Sequence, residues 1–206
     1  MSNPWLQIPL EDYEEHMALP SIGQAQMLAD QFERLVERYR PASVAIVGCA
    51  GGNGLERIET ETVERIVAVD INPAYIEAVR QRYGQRFARF EPFCADLQSE
   101  ALNFGPVDMI YAALLFEYVD AVSTLRTLKR ICRSGGMLAT VLQLSHAELA
   151  ISPSPYSSLS SLASVMRLVA PADLRNAAEA VGFVLEESQT MTLPSGKRFD
   201  LMRLRG

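Results

Sequence analysis

The sequence predicts an α/β protein: a seven-stranded, mostly parallel sheet with helices on both faces and an antiparallel last strand. Three observations predict it. Short apolar runs alternate with segments of helical period, the pattern of a doubly wound sheet. A glycine cluster, Gly48 to Gly54, follows the first apolar run at once, and acids stand at the ends of the next two. The closing pair of runs, Phe183 to Thr190 and Phe199 to Leu204, has no helix between its members. It has only Leu193-Pro194-Ser195-Gly196-Lys197, which reads as a hairpin loop.

The elements follow in order. Tyr13 to Met17 reads as a short helix. Ser21 is a candidate cap for a longer helix reaching about Arg40. Its Ile22, Ala25, Leu28, Ala29, Phe32, Leu35 and Val36 return every three or four residues, as one buried face requires, and Pro41 ends it. Ser43 to Val47 is the first strand; beyond the glycines, Leu55 to Glu61 reads as the start of a helix. Val63 to Val69 is the second strand, ending at Asp70. Pro73 to Tyr83 is a helix with proline in its first turn. Ala88 to Cys94 is the third strand, ending just before Asp96, and Val107 to Leu114 is the fourth. Asp120 caps a helix running to Ile131, and Ser134-Gly135-Gly136 is the turn after it. Met137 to Leu144 is apolar almost throughout, as a central parallel strand should be. Pro171 to Val181 is a helix ending at Gly182. Residues 145–170 break the rhythm with eight serines and two prolines among leucines. They are expected to form a partly helical lid or substrate insertion, with residues 1–40 as a helical cover.

At 206 residues the chain is long enough for one core and too short for two ordinary domains, so residues 1–206 are read as a single domain. A net charge of -6 argues against a nonspecific nucleic-acid binder, which needs concentrated lysine and arginine. Cys49, Cys94 and Cys132 form neither a metal pattern nor a disulfide framework, and fit a reducing compartment. Met1-Ser2-Asn3-Pro4-Trp5 lacks the charge and apolar run of a secretory signal, and no apolar stretch approaches twenty residues. The expected location is the cytoplasm, with no membrane partner.

Glycines let a backbone turn sharply and approach a ligand without side-chain clash. A helix N-terminus after them would suit a pyrophosphate or the carboxylate end of an amino-acid-like cofactor. The phosphate-loop ending is missing, because Leu55 and Glu56 follow Gly54. The dinucleotide fingerprint is broken as well, with Ala50 and Asn53 in its second and third glycine slots. The glycines could also serve only a tight turn. Asp70, at a strand's carboxyl end, can accept both hydroxyls of a ribose. Asp96 can accept from an exocyclic adenine amine while the Leu97 N–H meets a ring nitrogen. Either acid could instead cap the helix or turn that comes after it.

The motifs run in order: Val47 to Gly54; Val69-Asp70; Cys94-Ala95-Asp96-Leu97; Val107 to Tyr118; Leu128 to Leu138, with its Ser134-Gly135-Gly136 turn; and Leu174 to Phe183. In that order and spacing the chain resembles the class I S-adenosylmethionine-dependent methyltransferases over nearly everything from Val44 onward. The resemblance implies a Rossmann-like methyltransferase fold, S-adenosyl-L-methionine as cofactor, and methyl transfer. It implies that Gly48, Ala50 and Gly52 stand at the three motif glycines and, with Cys49, Gly51 and Asn53, line the methionine part. Asp70 and Ile71 then belong to the ribose, and Asp96 and Leu97 to the adenine. Residues 112–116, including Ala112 and Leu114, pass near the sulfonium. Two positions depart from the family: Ile46 stands where an acid is common, and Ala50 where the middle glycine is. Gly51, Asn53, Tyr13, Gln24 and Gln26 are candidates to compensate.

An oxygen or nitrogen acceptor calls for a base, and Glu117, His146 and His16 are the candidates. Tyr13, Met17, Phe116, Tyr118 and Tyr156, with Trp5 and Met166, are candidate walls of the acceptor pocket. No metal site is expected. A small organic acceptor is favoured over nucleic acid, since there is no basic stripe and the fourth-strand loop lacks the Asn/Asp-Pro-Pro-aromatic sequence of base-modifying members. A homodimer is left open. The competing readings are a nicotinamide-dependent oxidoreductase and a noncatalytic binding or assembly protein that has kept the fold.

Overall fold

The computed structural model describes residues 3–99, 101–145 and 154–206. Its seven strands are β1 (Ser43–Val47), β2 (Arg65–Asp70), β3 (Arg89–Cys94), β4 (Val107–Ala113), β5 (Cys132–Gln143), β6 (Val184–Thr192) and β7 (Arg198–Arg205). They lie in the order β3-β2-β1-β4-β5-β7-β6. The first five pair in parallel, and β7 runs antiparallel to both β5 and β6. The helices are α1 (Leu10–Ala18), α2 (Gln24–Tyr39), α3 (Pro73–Tyr83), α4 (Ala121–Ile131) and α5 (Pro171–Ala180).

Strand alternation divides the core into two layers. Val44 and Ile46 of β1 join Phe32, Leu35 and Val36 of α2, with Met109 and Tyr111 of β4. Ala45 and Val47 face the other way, toward Leu125 and Leu128 of α4 and Leu174 and Ala178 of α5. Both faces of β1 are therefore covered, which is why its sequence is apolar at every position after Ser43. A smaller cluster of Ile8, Leu159 and Leu162 joins the N-terminal cover to the 3-10 helix Ser157–Ser164.

Several elements differ from the sequence expectation. The helix expected from Leu55 to Glu61 is a single 3-10 turn, Leu55–Arg57. Gly54 turns at φ 92, and Arg86 donates to the carbonyls of Glu56 and Ile58, oxygens that a continuing helix would use. No long-helix N-terminus therefore follows the glycines. α2 starts at Gln24 without a Ser21 cap, because Gly23, at φ 64, redirects the chain. β5 begins at Cys132, and the expected turn at 134–136 is its irregular first part, held by Gly206 through Gly135 and Gly136. A 3-10 turn at Pro4–Gln7, capped by Asn3, precedes α1. Of the expected insertion 145–170, residues 146–153 lie outside the described residues.

The N-terminal cover is pinned to the sheet's carboxyl edge. Asn72 donates to the Trp5 carbonyl (2.8 Å), and the Tyr75 hydroxyl donates to that of Ile8 (2.9 Å). Tyr111 and Asn53 hold α2 through the carbonyls of Leu28 and Ala25. Among the described residues no helix is long and apolar enough to cross a membrane.

Candidate active site

The loop after β1 is shaped by its own backbone bonds. Gly48 and Cys49 both donate to the Val69 carbonyl, at 2.9 and 3.0 Å, which folds the loop over the end of β2. Gly48, Ala50 and Gly52 all have positive φ (72, 45 and 83). At Gly52 a Cβ would come within 2.8 Å of both Val79 and Tyr83, so this glycine lets the loop press on α3. Ala50 takes the left-handed conformation as a residue that carries a Cβ.

Asp70 sits beneath this loop, 8 % exposed. One carboxylate oxygen accepts from Ala50 N and the other from Asn72 N, both at 2.9 Å. Burial pushes its pKa up, and the donated N–H groups oppose that rise. Asn72 in turn caps α3 through Ala74 N. Asp70 therefore organises two backbone turns, and its remaining lone pairs face a cavity of about 700 Å³. Gly48, Ala50, Ile71, Asp96, Leu97 and Leu114 share that cavity, and Trp5, Tyr13, Tyr75 and Tyr118 cover it. Leu114, at φ 52, bends the chain away at the end of β4 while its N–H donates to Val141.

A second cavity, about 540 Å³, is bordered by the 3-10 helix Ser157–Ser164. Its apolar walls include Met17, Leu114, Leu159, Leu162 and Met166, and its polar groups are His16, Gln24, Glu117, Gln143 and Lys197. Glu117 is 1 % exposed. One of its oxygens accepts from Gln143 N at 2.7 Å, and Oε2 has no partner among the described residues. Burial pushes its pKa up to about 7, against the pull of that N–H. His16 is likewise buried with Nδ1 unpartnered, and burial and the Lys197 charge push its pKa down.

A third cavity, about 990 Å³, opens on the far side of the glycine loop. Ile46, Cys49, Gly51, Asn53 and Tyr111 line it together with Glu14 and Arg82. The Arg82 guanidinium pairs with Glu14 (Nη2–Oε2 2.9 Å) and donates to the Gly51 carbonyl at 3.1 Å, bridging α3 to α1 across the loop. Tyr13 borders all three cavities, and burial beside Asp70, Glu14 and Glu117 pushes its hydroxyl above the usual tyrosine range.

The structure thus brings together Tyr13, Met17, Tyr118, Glu117 and His16 beside the glycine loop, Asp70, Asp96 and Leu97. Other expected residues lie elsewhere. Phe116 is buried in the layer with α4, Ala112 is sealed within the sheet, and neither borders these cavities. Tyr156 packs on the Ile8 cluster and borders none of these three cavities. Gln26 turns outward to Asp30, whereas Gln24 enters the second cavity. His146 lies outside the described residues. Glu14, Arg82, Gln143 and Lys197 were not singled out by the sequence, because no short-range spacing links them to a motif.

Residues 46–140 match the family described as a methyltransferase domain. No curated protein is significantly similar to this chain in sequence. Among solved structures, the chain is similar to the N-methyltransferase NodS of Bradyrhizobium japonicum WM9, determined with S-adenosyl-L-homocysteine. The identity is 14 %, the coverage 100 % of this chain and 99 % of that one, and the TM-score 0.70. It is similar to the 1,6-didemethyltoxoflavin-N1-methyltransferase of Burkholderia thailandensis (17 %; 95 % and 84 % covered; TM-score 0.67). It is also similar to the [4+2]-cyclase SpnF (13 %; 85 % and 80 % covered; TM-score 0.67). At these identities the likeness to each is one of fold.

Proposed function

We propose that the chain, whose residues 46–140 match a methyltransferase domain, is a class I S-adenosylmethionine-dependent methyltransferase that methylates oxygen or nitrogen of a small organic acceptor held in the second cavity. The observation that carries this reading is the meeting of the three cavities at Tyr13. One cavity offers a buried carboxylate under a positive-φ loop. Another offers a carboxyl oxygen and an imidazole nitrogen that have no partner among the described residues.

The residues fit the cofactor. Asp70 would hold the ribose hydroxyls with lone pairs left over from its bonds to Ala50 N and Asn72 N. Asp96, one oxygen of which accepts from Gln98 N at 2.9 Å, and the Leu97 N–H would read the adenine. Gly48 and Ala50 give the backbone approach that the methionine part needs. Glu14 and Arg82, paired with each other, would present charges of both signs to the ammonium and carboxylate of the methionine part in the third cavity, in place of an acid at position 46. The rings of Trp5, Tyr13 and Tyr118 meet edge to face, with centroids 5.4 and 5.0 Å apart, beside the first two cavities. Such rings attract a cation.

When bound, the cofactor supplies a methyl group already activated by a positive sulfur. The protein's own work is to align the acceptor and exclude water. The pinned N-terminal cover does the second. Glu117 Oε2 takes the proton that the acceptor's O–H or N–H gives up, while Gln143 N fixes the other oxygen. His16, kept neutral, offers Nδ1 as an acceptor beside it. The nicotinamide alternative is disfavoured by β7, which enters the sheet antiparallel between β5 and β6 where the dinucleotide order is wholly parallel. Cys49, Cys94 and Cys132 form no disulfide among the described residues, which suits a cytoplasmic setting.

The test is transfer of a labelled methyl group from S-adenosylmethionine into fractions of a small-molecule extract. We expect label to enter a low-molecular-weight fraction, and Glu117→Gln to reduce this about a hundredfold or more. Cofactor binding with no label moved into any fraction would favour the noncatalytic reading.

A further inference from the structure

We propose that Lys197, the last residue of the β6–β7 loop, determines acceptor specificity by pairing with a carboxylate, so that the acceptor is a small organic acid. This rests on the methyltransferase reading and deepens it.

The argument begins with charge. The second cavity is mostly apolar, yet five polar side chains enter it from separate elements. Gln24 and Gln143 are neutral. His16 is held neutral by burial and by Lys197 itself. Glu117 has its carboxyl pushed up to about 7 by burial, so it is only partly ionised near neutral pH. Lys197 is thus the principal fixed charge of the cavity. Its ammonium has no hydrogen bond or ion pair among the described residues, although it is partly buried and burial lowers its pKa.

A desolvated cation without a counter-ion is costly, and the cost is removed when an anion pairs with it. The cofactor adds a second positive charge next to the same cavity. An ammonium-bearing acceptor would meet both charges without compensation; a carboxylate would be attracted by both. The His16 and Glu117 atoms without partners then remain for the acceptor's O–H or N–H. One cavity therefore holds an anion contact at the hairpin and a proton acceptor at the β4 loop. That combination selects an acid carrying a separate hydroxyl or amine.

The probes are benzoate, benzyl alcohol and benzylammonium, titrated near neutral pH into the full chain saturated with S-adenosylhomocysteine. The readout is the His16 ring resonances, distinguished from those of His146 by substitution of the latter. Benzoate should bind about tenfold or more tighter than either of the other two. Lys197→Gln should abolish that preference while leaving benzyl alcohol unaffected, and Lys197→Arg should restore it. Equal affinities, a preference for benzylammonium, a benzoate affinity unchanged in Lys197→Gln, or no benzoate response in the S-adenosylhomocysteine complex would each overturn the proposal. Failure of S-adenosylhomocysteine to bind, which calorimetry reports before any probe is added, would instead remove the methyltransferase reading beneath it.

Discussion

Replacing Glu117 by glutamine separates the cost of burying a carboxylate from the contacts around it. The amide keeps an oxygen for Gln143 N and nearly the same shape, but cannot ionise. In the native protein the carboxyl pKa is about 7, raised by burial from 4.5. An acid whose native pKa lies above its unfolded value holds more protons when folded. Ionising it therefore penalises the native state. The penalty is absent below pH 4.5, grows up to pH about 7 and is complete above that. A difference of this size is worth about 3 kcal/mol. Urea unfolding of both proteins across this range, without ligand, measures it. The stability difference should move about 3 kcal/mol in favour of Glu117→Gln as the pH rises. Constant costs of the new amide cancel in that slope, as do the titrations of all other groups. A flat difference, or one moving toward the wild type, would refute the assignment of Glu117 as a buried, uncompensated carboxyl.

The same ionisation predicts that methyl transfer rises with pH through about 7 and then levels, since the proton acceptor must be deprotonated; a pH–rate profile flat across that value would remove Glu117 from the proton path. Gly52→Ala should destabilise the fold by about 2–4 kcal/mol in denaturant unfolding, because its Cβ would meet Val79 and Tyr83 at a φ of 83. Ala50→Gly relieves left-handed strain of about 1–2 kcal/mol but adds about 0.5–1 kcal/mol of unfolded-state entropy. Unfolding should accordingly show little change or a gain of up to about 1.5 kcal/mol. Tyr75→Phe leaves the Ile8 carbonyl without its partner; it should cost about 1–2 kcal/mol and speed hydrogen exchange in α1 ahead of the sheet.

The parts of the fold legible in the sequence are those governed by local pattern. β1 and β2 read as apolar runs because both of their faces are covered, and the hairpin read from Leu193-Pro194-Ser195-Gly196-Lys197 because turn residues separate its strands. Leu55 to Glu61 misled because Arg86, some thirty residues away, captures the carbonyls a helix would use. The extra length of β5 depends on Gly206, farther still along the chain. The site divides the same way. Gly48, Asp70 and Asp96 stand at strand ends and could be placed by counting. Phe116 could not, because strand direction at the bend after Leu114 decides which face it takes, and the left-handed turn there is invisible in a leucine. Glu14, Arg82 and Lys197 reach the cavities only through packing of α1, α3 and the hairpin around the sheet edge.

The central claim is that the crevice over Asp70 holds S-adenosylmethionine, and calorimetric titration with S-adenosylhomocysteine tests it most directly. The folded wild type should bind it with a Kd on the order of micromolar and show no response to NADH. Asp96→Ala should weaken binding by about tenfold or more through loss of a charge-assisted contact, and Asp70→Asn by more, since it also disturbs the loop at Ala50. A folded wild type that ignores S-adenosylhomocysteine at millimolar concentration, or binds NADH in its place, would contradict the account.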